Sequence, residues 1–329
     1  MSAANRWWPV CHSEEVTSKK PLGVQLHGQK FAVYRDAGGE VRVVEDRCPH
    51  RRAPLSLGRV TKDGHIQCGY HGWTFDGETG QICGFPNLAE GERMPACSVE
   101  TFVAAERRGL VYIWDGAADR VDRNRIIEQP YLGRGKELYG SLFNPLEHTE
   151  WMVAFLDAPG FLTRYLGVDF VDKPLGDPHF DGNLLLVERA ARWNLIGEKR
   201  LMLGPLRHRA DFPLVWKTWS APVTGETTAQ LFDASTESLM AEILIAAVPS
   251  TRGMTALHWR AVVHGREHGK LSLFYHLLAA LGIKPLLLRE RLDANGLAGV
   301  VAGPGEEWRQ LSAQGASGQN PMASVLSIA

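Results

Sequence analysis

Two short loops, one near residue 50 and one near residue 70, restrict this chain more than anything else in it. The first reads Cys48-Pro49-His50-Arg51-Arg52-Ala53-Pro54-Leu55-Ser56-Leu57-Gly58, and the second Cys68-Gly69-Tyr70-His71-Gly72-Trp73-Thr74-Phe75. They carry C-x-H and C-x2-H, with seventeen residues between His50 and Cys68. Two thiolates and two imidazoles can hold a zinc, or a [2Fe–2S] cluster with histidines on one iron and cysteines on the other. A zinc finger keeps like ligands together, C-x2-C and then H-x3-H. Here each loop supplies one of each. That pairing suits a two-iron cluster pinched between the loops, with both loops touching both irons.

The residues around the loops predict short strands joined by turns. Residues 22–26 and 30–34 read as strands across His27-Gly28-Gln29, with a turn at Gly38-Gly39 and a third strand at 41–44 leading into Cys48. Residues 60–68 make a turn and strand into the second loop, and 111–114 close with an apolar strand. Short strands at regular turn spacing predict a small all-β domain, residues 1–118. Such a scaffold holds ligands still between oxidation states. Gly69 and Gly72 are expected to permit tight turns, and Trp73 to pack beneath the second ligand pair. Trp7 and Trp8 read as packing residues, and His12, His27 and His65, in polar surroundings, as surface residues.

The chain as a whole excludes several classes of function. It has 329 residues, 44% of them hydrophobic, and a net charge of −1. Bulk attraction to nucleic acid or to an acidic membrane is therefore not expected. Of five cysteines, the loops use two. Cys11, Cys83 and Cys97 remain, an odd and irregular set that predicts reduced thiols and a cytoplasmic setting rather than a disulfide framework. No apolar secretory stretch follows Met1, and the longest apolar run, 271–288, is interrupted by His276, Lys284 and Pro285.

With their flanks, C-P-H-R-x-A-P-L-S-x-G and C-x-Y-H-G-W-x-F-D resemble the cluster motif of the Rieske non-haem iron oxygenases, the aromatic-ring-hydroxylating dioxygenase alpha-subunit family. Respiratory Rieske proteins carry an extra cysteine in each loop, forming a disulfide. Ala53 and Tyr70 occupy those positions here, which favours the oxygenase or ferredoxin branch. The resemblance implies a Rieske [2Fe–2S] cluster on Cys48, His50, Cys68 and His71. The cysteines are expected on the inner iron and the histidines on the outer, where imidazole removes negative charge and raises the potential. The flanks set the zinc reading aside.

The resemblance also implies an α+β chain in which residues 119–329 form a helix-grip (START-like) domain, an antiparallel sheet wrapped on a long C-terminal helix. Strand-like segments at 184–187, 216–219, 228–232 and 257–263 agree, as do helix-like segments at 271–281 and 284–292. Residues 119–125 read as a linker. In the family this domain binds substrate and a mononuclear Fe(II), held by two histidines and a carboxylate. The family writes the histidines as N-x-x-D-x-x-H-x4-H. Here the segment is Asn144-Pro145-Leu146-Glu147-His148-Thr149-Glu150-Trp151-Met152-Val153-Ala154-Phe155. Aligned on Asn144, Glu147 stands for the aspartate, Glu150 for the first histidine and Phe155 for the second. Aligned on His148, the second histidine becomes Val153. No register restores both, so a normal triad on this segment is excluded. Remaining ligand candidates are Glu147, His148 and Glu150, with His179, Glu290 or Asp293 from elsewhere.

Two functions follow. One is an oxygenase component that takes electrons from a reductase or ferredoxin and oxidises a small apolar organic substrate with O2, with Phe155, Phe161 and Leu184–Leu186 hinting at apolarity. The other is a non-catalytic electron-transfer or structural subunit beside a homologous catalytic one. A homotrimer or hetero-oligomer is expected by analogy in either case.

Overall fold

Strands in the first third of the chain are short, and two of them, Trp7–His12 and Leu110–Trp114, are buried at every position. The computed structural model describes residues 5–86, 88, 91–135, 137–157, 159, 168–171, 173–193, 212–264 and 304–316. Their packing divides the chain into two units, Met1–Ile126 with Val248–Arg252, and Ile127–Ala247 with Gly253–Ala329.

Eleven strands are found among the described residues of the first unit: β1 (Trp7–His12), β2 (Leu22–Leu26), β3 (Gln29–Arg35), β4 (Val41–Glu45), β5 (Arg59–Val60), β6 (Ile66–Gln67), β7 (Thr74–Phe75), β8 (Ile82–Gly84), β9 (Thr101–Phe102), β10 (Ala104–Arg107) and β11 (Leu110–Trp114). They form three sheets, ordered β1-β11-β10, β2-β3-β4-β9 and β5-β6-β7-β8. The pairings are antiparallel, as hairpin connections allow. Pro9 lies in edge strand β1, where a register shift between Pro9 and Cys11 accommodates its missing N–H. Trp7 and Trp8 are buried as expected, Trp7 against Trp114 at 5.3 Å. His12 corrects the sequence reading: it ends β1 fully buried, because that strand is covered along its whole length.

Small β5-β6-β7-β8 matters most for function. Its two-residue strands leave the first ligand loop before β5 and the second between β6 and β7. Beneath both loops lies a core of Tyr34, Val44, Leu55, Ile66, Phe75 and Val99, and Cys48 and Cys68 are part of it. The strand pairing thus fixes the depth of the two thiols in the domain.

The second unit is an eight-stranded antiparallel sheet with two described helices. Its elements are β12 (Leu138–Asn144), α1 (His148–Asp157), β13 (Val168–Phe170), β14 (His179–Asp181), β15 (Leu184–Trp193), β16 (Phe212–Ser220), β17 (Thr227–Asp233), β18 (Leu239–Pro249), β19 (Thr255–Val263) and α2 (Pro304–Ala316). Sheet order is β12-β19-β18-β17-β16-β15-β13, with β14 also on β15. The four expected strands fall within β15, β16, β17 and β19. Helix α1 is buried nearly all round through Trp151–Leu156 and packs against α2. Trp308 of α2 is fully buried and donates its indole N–H to the Ala221 carbonyl at 3.0 Å. Burial of one such ring is worth about 2–3 kcal/mol. Asp157 at the end of α1 accepts from the Gly305 N–H at 2.7 Å, capping α2 with the last turn of α1. The helical segments expected at 271–281 and 284–292 lie outside the described residues. Among the described residues no helix is long and apolar enough to cross a membrane.

Candidate metal centre

The two ligand loops share one backbone design. In the first, the Cys48 N–H donates to the Ala53 carbonyl at 2.8 Å and the Arg52 N–H returns to the Cys48 carbonyl at 2.7 Å. In the second, the Cys68 N–H donates to the Trp73 carbonyl at 2.8 Å and the Gly72 N–H to the Cys68 carbonyl at 3.0 Å. Each loop is therefore a cysteine plus five residues, closed on itself, with a left-handed residue at the fourth step. Gly72 takes that place at φ 71°, and a Cβ there would meet Pro86 Cγ at 2.7 Å. Arg52 takes it at φ 59°. A side chain in this region costs about 1–2 kcal/mol, so the loops differ where glycine would serve both. Gly69 is needed for a different reason: its φ is ordinary, but a Cβ would meet the Leu57 carbonyl oxygen at 3.0 Å.

A latch holds the first loop at its base. Asp46 accepts from the Ser56 N–H at 2.6 Å and from the Ser56 hydroxyl at 2.7 Å, tying the residue two before Cys48 to the far end of the loop. In the second loop, Gln67 Nε2 donates to the Gly72 carbonyl at 3.2 Å and to Thr74 Oγ1 at 2.9 Å.

The four expected ligands come together as two pairs. Cys48 and Cys68 are buried, at 2% and 3% exposure, whereas His50 and His71 are exposed. The imidazole rings lie next to each other, with centroids 4.7 Å apart and planes tilted by 60°. Trp73 is partly buried against the core that holds Cys48 and Cys68, as expected, and it also stacks flat on His50 of the opposite loop at 4.4 Å. Its other neighbour is Phe85, edge-on at 5.3 Å. Tyr70 lies against His71 at 3.9 Å.

Electrostatics separate the pairs further. Burial pushes the Cys48 thiol up to about 11; the N–H groups of His50 and Arg51 oppose this, and Cys68 beside it adds to it. Buried thiols become thiolates when a cation takes the proton's place. Desolvation, then the neighbouring His71 and Arg51, hold His50 below its ordinary value, in the neutral form that binds metal. Among the described residues no three His, Cys, Asp or Glu side chains converge on a single ion. Paired sulfurs inside and paired imidazoles at the rim fit two irons rather than one zinc.

The segment 144–155 is put together for another purpose. Glu147 and Glu150 act on the backbone: Glu150 accepts from the Glu147 N–H at 3.2 Å, closing the first turn of α1 like the return arm of a capping box. Glu147 accepts from the Gly253 N–H at 2.6 Å. His148 Nε2 lies 3.0 Å from the Thr224 carbonyl and its ring meets Trp308 edge-on at 5.7 Å. Phe155 is buried with Trp151, Leu156 and Trp308. His179 is exposed on β14. Asn144 is fully buried with both amide atoms unbonded, and a lone neutral amide is no iron site. The described residues of this segment do not fit a mononuclear iron. Glu290, Asp293 and Phe161 lie outside the described residues.

Sequence reasoning passed over a buried polar set in the second unit. Glu242 accepts from the Leu132 and Gly133 N–H groups at 2.9 and 3.0 Å, and His264 Nε2 lies 3.2 Å away. Arg260 pairs with Glu137, which takes the Tyr131 hydroxyl hydrogen at 2.6 Å. These bonds pin residues 131–137 to the sheet. Arg52 was also passed over as a special position, although aligning the loops on their cysteines sets it opposite Gly72.

Residues 6–103 match the family model of the Rieske [2Fe–2S] domain. The vanillate O-demethylase oxygenase subunit of Pseudomonas sp. (strain HR199 / DSM 7063) is 38% identical over 123 residues, 37% of this chain and 33% of that protein. The dicamba O-demethylase oxygenase component of Stenotrophomonas maltophilia is 42% identical over 112 residues, 34% of this chain and 32% of that protein. The chloroplast protein TIC 55 of Arabidopsis thaliana is 38% identical over 109 residues, 33% of this chain and 20% of that protein. The matched stretch thus spans a third or less of each of these relatives. Over the full chain the likeness is one of fold. The crystal structure of dicamba monooxygenase bound to dicamba superposes with a TM-score of 0.73 at 18% identity, covering 96% of this chain and 98% of that one. NdmA of Pseudomonas putida CBB5 superposes at 0.67 and 20% identity, covering 94% and 90%.

Proposed function

For a chain that carries a Rieske [2Fe–2S] domain on the fold of dicamba monooxygenase, we propose the role of the cluster-bearing component of an oxygenase system. It receives single electrons from a reductase or ferredoxin and passes them toward oxidation of a small apolar organic substrate with O2. The observation that carries this is the paired geometry of the loops, thiols inside and imidazoles at the rim. In this reading Cys48 and Cys68 hold the inner iron, and His50 and His71 the outer. The bound cluster supplies a one-electron carrier. The chain's own residues do the rest: the Asp46–Ser56 latch and the loop hydrogen bonds hold the ligands in place, and Trp73 keeps the His50 ring in its plane. Residues 1–118 are the electron-handling part in this reading, and residues 119–329 the substrate-facing part. A cytoplasmic setting suits five free thiols.

The capped, apolar α1 favours one refinement. Electrons arriving here leave for the iron of a homologous subunit in a hetero-oligomer, rather than for a site on this chain. Metal analysis with paramagnetic resonance on anaerobically purified protein tests both statements. The expected result is about two irons and two sulfides per chain with a Rieske-type signal. A further iron that responds to nitric oxide would overturn the refinement and place oxygen chemistry on this chain. One zinc without colour would overturn the proposal as a whole.

A further inference from the structure

Within the chain, aromatic rings rather than hydrogen bonds set the plane of His50. A histidine that binds a metal commonly donates its second ring N–H to a carboxylate or carbonyl, which fixes its orientation. Among the described residues His50 meets two rings instead, His71 at 4.7 Å and Trp73 at 4.4 Å, the latter with the two planes parallel. His50 and Trp73 come from opposite loops, and each loop closes on its own backbone. The place of the Trp73 indole therefore governs how His50 lies.

Trp73 has two supports of its own. It packs against the core that contains Cys48 and Cys68. Phe85 meets it nearly edge-on, with centroids 5.3 Å apart and planes at 70°. A break in the strand pairing puts Phe85 there. Strands β7 and β8 pair Phe75 with Ile82 but Thr74 with Gly84, so Cys83 is an extra residue in β8. Without this bulge Thr74 would face Cys83, and Gly84, which has no side chain, would stand where Phe85 meets Trp73. Bulges occur next to functional sites, where they re-aim a side chain. Gly84 serves the same approach, since a Cβ there would meet the Cβ of Thr74 at 3.0 Å. Pro86, the next residue, lies against Gly72, where a Cβ would meet its Cγ at 2.7 Å. Residues 84–86 thus brace the second loop from outside both ligand motifs.

We propose that Phe85 is a positioning residue for His50. It wedges Trp73, and Trp73 holds the His50 imidazole flat against it, so that the ligand is oriented before a cluster is bound. This rests on the reading of the loops as the cluster site and extends it to a residue that neither motif contains. An edge-on aromatic pair has a preferred geometry that an aliphatic side chain of similar bulk lacks. Residues that orient a metal ligand act on the metal through that ligand, and their loss loosens it.

The test compares Phe85→Leu, which removes the edge-on ring and keeps most of the bulk, with Phe85→Tyr, which keeps the ring. Ile82→Ala is the control, taking apolar volume from the same strand and core but no ring from the relay. All are made in the full chain. In the metal-free protein, the ring-proton NMR signals of His50 report the stack, because an indole lying flat on a ring moves its signals upfield. In the cluster-loaded protein, paramagnetic resonance reports the outer iron through its g values and nitrogen couplings, and the rate of cluster loss to a chelator reports how firmly it is held. Phe85→Leu is expected to reduce the upfield shift, broaden the g values and speed cluster loss about tenfold. Phe85→Tyr should return all three to near the starting values, and Ile82→Ala should lower stability in urea without changing the spectra. Trp73→Leu should give the full effect, and Phe85→Leu on top of it should add less than about twofold, because residues that act in series are not additive. If Trp73→Leu does not fold, the comparison of Phe85→Leu with Phe85→Tyr decides alone. Phe85→Leu protein with the starting spectra and rate of cluster loss overturns the proposal. Equal changes in Ile82→Ala also overturn it, since Phe85 would then act through stability only. If the cluster forms but His50 shows no upfield shift in the metal-free protein, the relay is wrong and the cluster reading stands. If no Rieske-type cluster forms in the starting protein, the cluster reading fails and the proposal with it.

Discussion

The loops at 48–75 and the segment at 144–155 use similar residue types to opposite ends. In the loops the backbone does its own closing, through the bonds from Cys48 to Ala53 and from Cys68 to Trp73. The cysteine and histidine side chains are left over, and they meet as pairs. In the segment, Glu150 and Glu147 accept backbone N–H groups, His148 sits on the Thr224 carbonyl, and Phe155 fills the core. A polar side chain that satisfies the backbone is not free to bind a metal. The lesson is that ligand residue types identify a metal site only where local hydrogen bonding leaves them unused.

The largest expected effect breaks the first side of that contrast. In the proposed reading, Cys68→Ser removes a buried sulfur ligand of the inner iron. Bound iron and the visible absorption of the cluster should fall to below about a tenth of the starting protein, because a cluster short of one thiolate is lost rather than weakened. Protein that keeps full colour after this change would mean that Cys68 is not a ligand.

The other side is tested at Phe155. Phe155→Ala should cost about 3–5 kcal/mol in urea unfolding, as for a buried aromatic ring removed from a core, and leave the cluster absorption unchanged. Phe155→His restores a family ligand on paper. It should also destabilise the protein, by placing an imidazole among Trp151, Leu156 and Trp308, and should add no iron. A Phe155→His protein with a third iron would break the contrast, because the segment would then need only one residue to become a site.

Those predictions also mark what was readable in the sequence. The cluster loops were legible because their ligands, spacing and turn residues all fall within 28 consecutive positions, 48–75. The β character of the first unit was legible too, from apolar runs between Gly-rich turns. His12 was not. Its polarity suggests a surface, and only the pairing of β1 with β11 shows that the whole strand is covered. Strands β12 and β18 were missed, since β12 reads LYGSLFN, without apolar and polar residues in alternation, and β18 carries Glu242 within the strand. That glutamate is tolerated because it receives N–H groups from residues 110 and 109 positions away, a distance no local pattern encodes. Helix α2 was hidden by Gly305 and by a Gly/Ser/Gln-rich tail. Its stability comes from Trp308 and the Asp157 cap rather than from its own propensity.

The smallest effect sharpens a comparison inside the site, between the loops themselves. Gly72→Ala forces a side chain into a left-handed residue and against Pro86, and should cost about 2 kcal/mol. Arg52→Gly does the reverse at the matching step and should stabilise the protein by about 0.5 kcal/mol, the relief of strain being partly offset by the freer unfolded chain. The two shifts should therefore have opposite sign although the loops close alike. If Arg52→Gly instead destabilises the protein or lowers its iron content, the arginine is working inside the domain, and its strain has a structural cause.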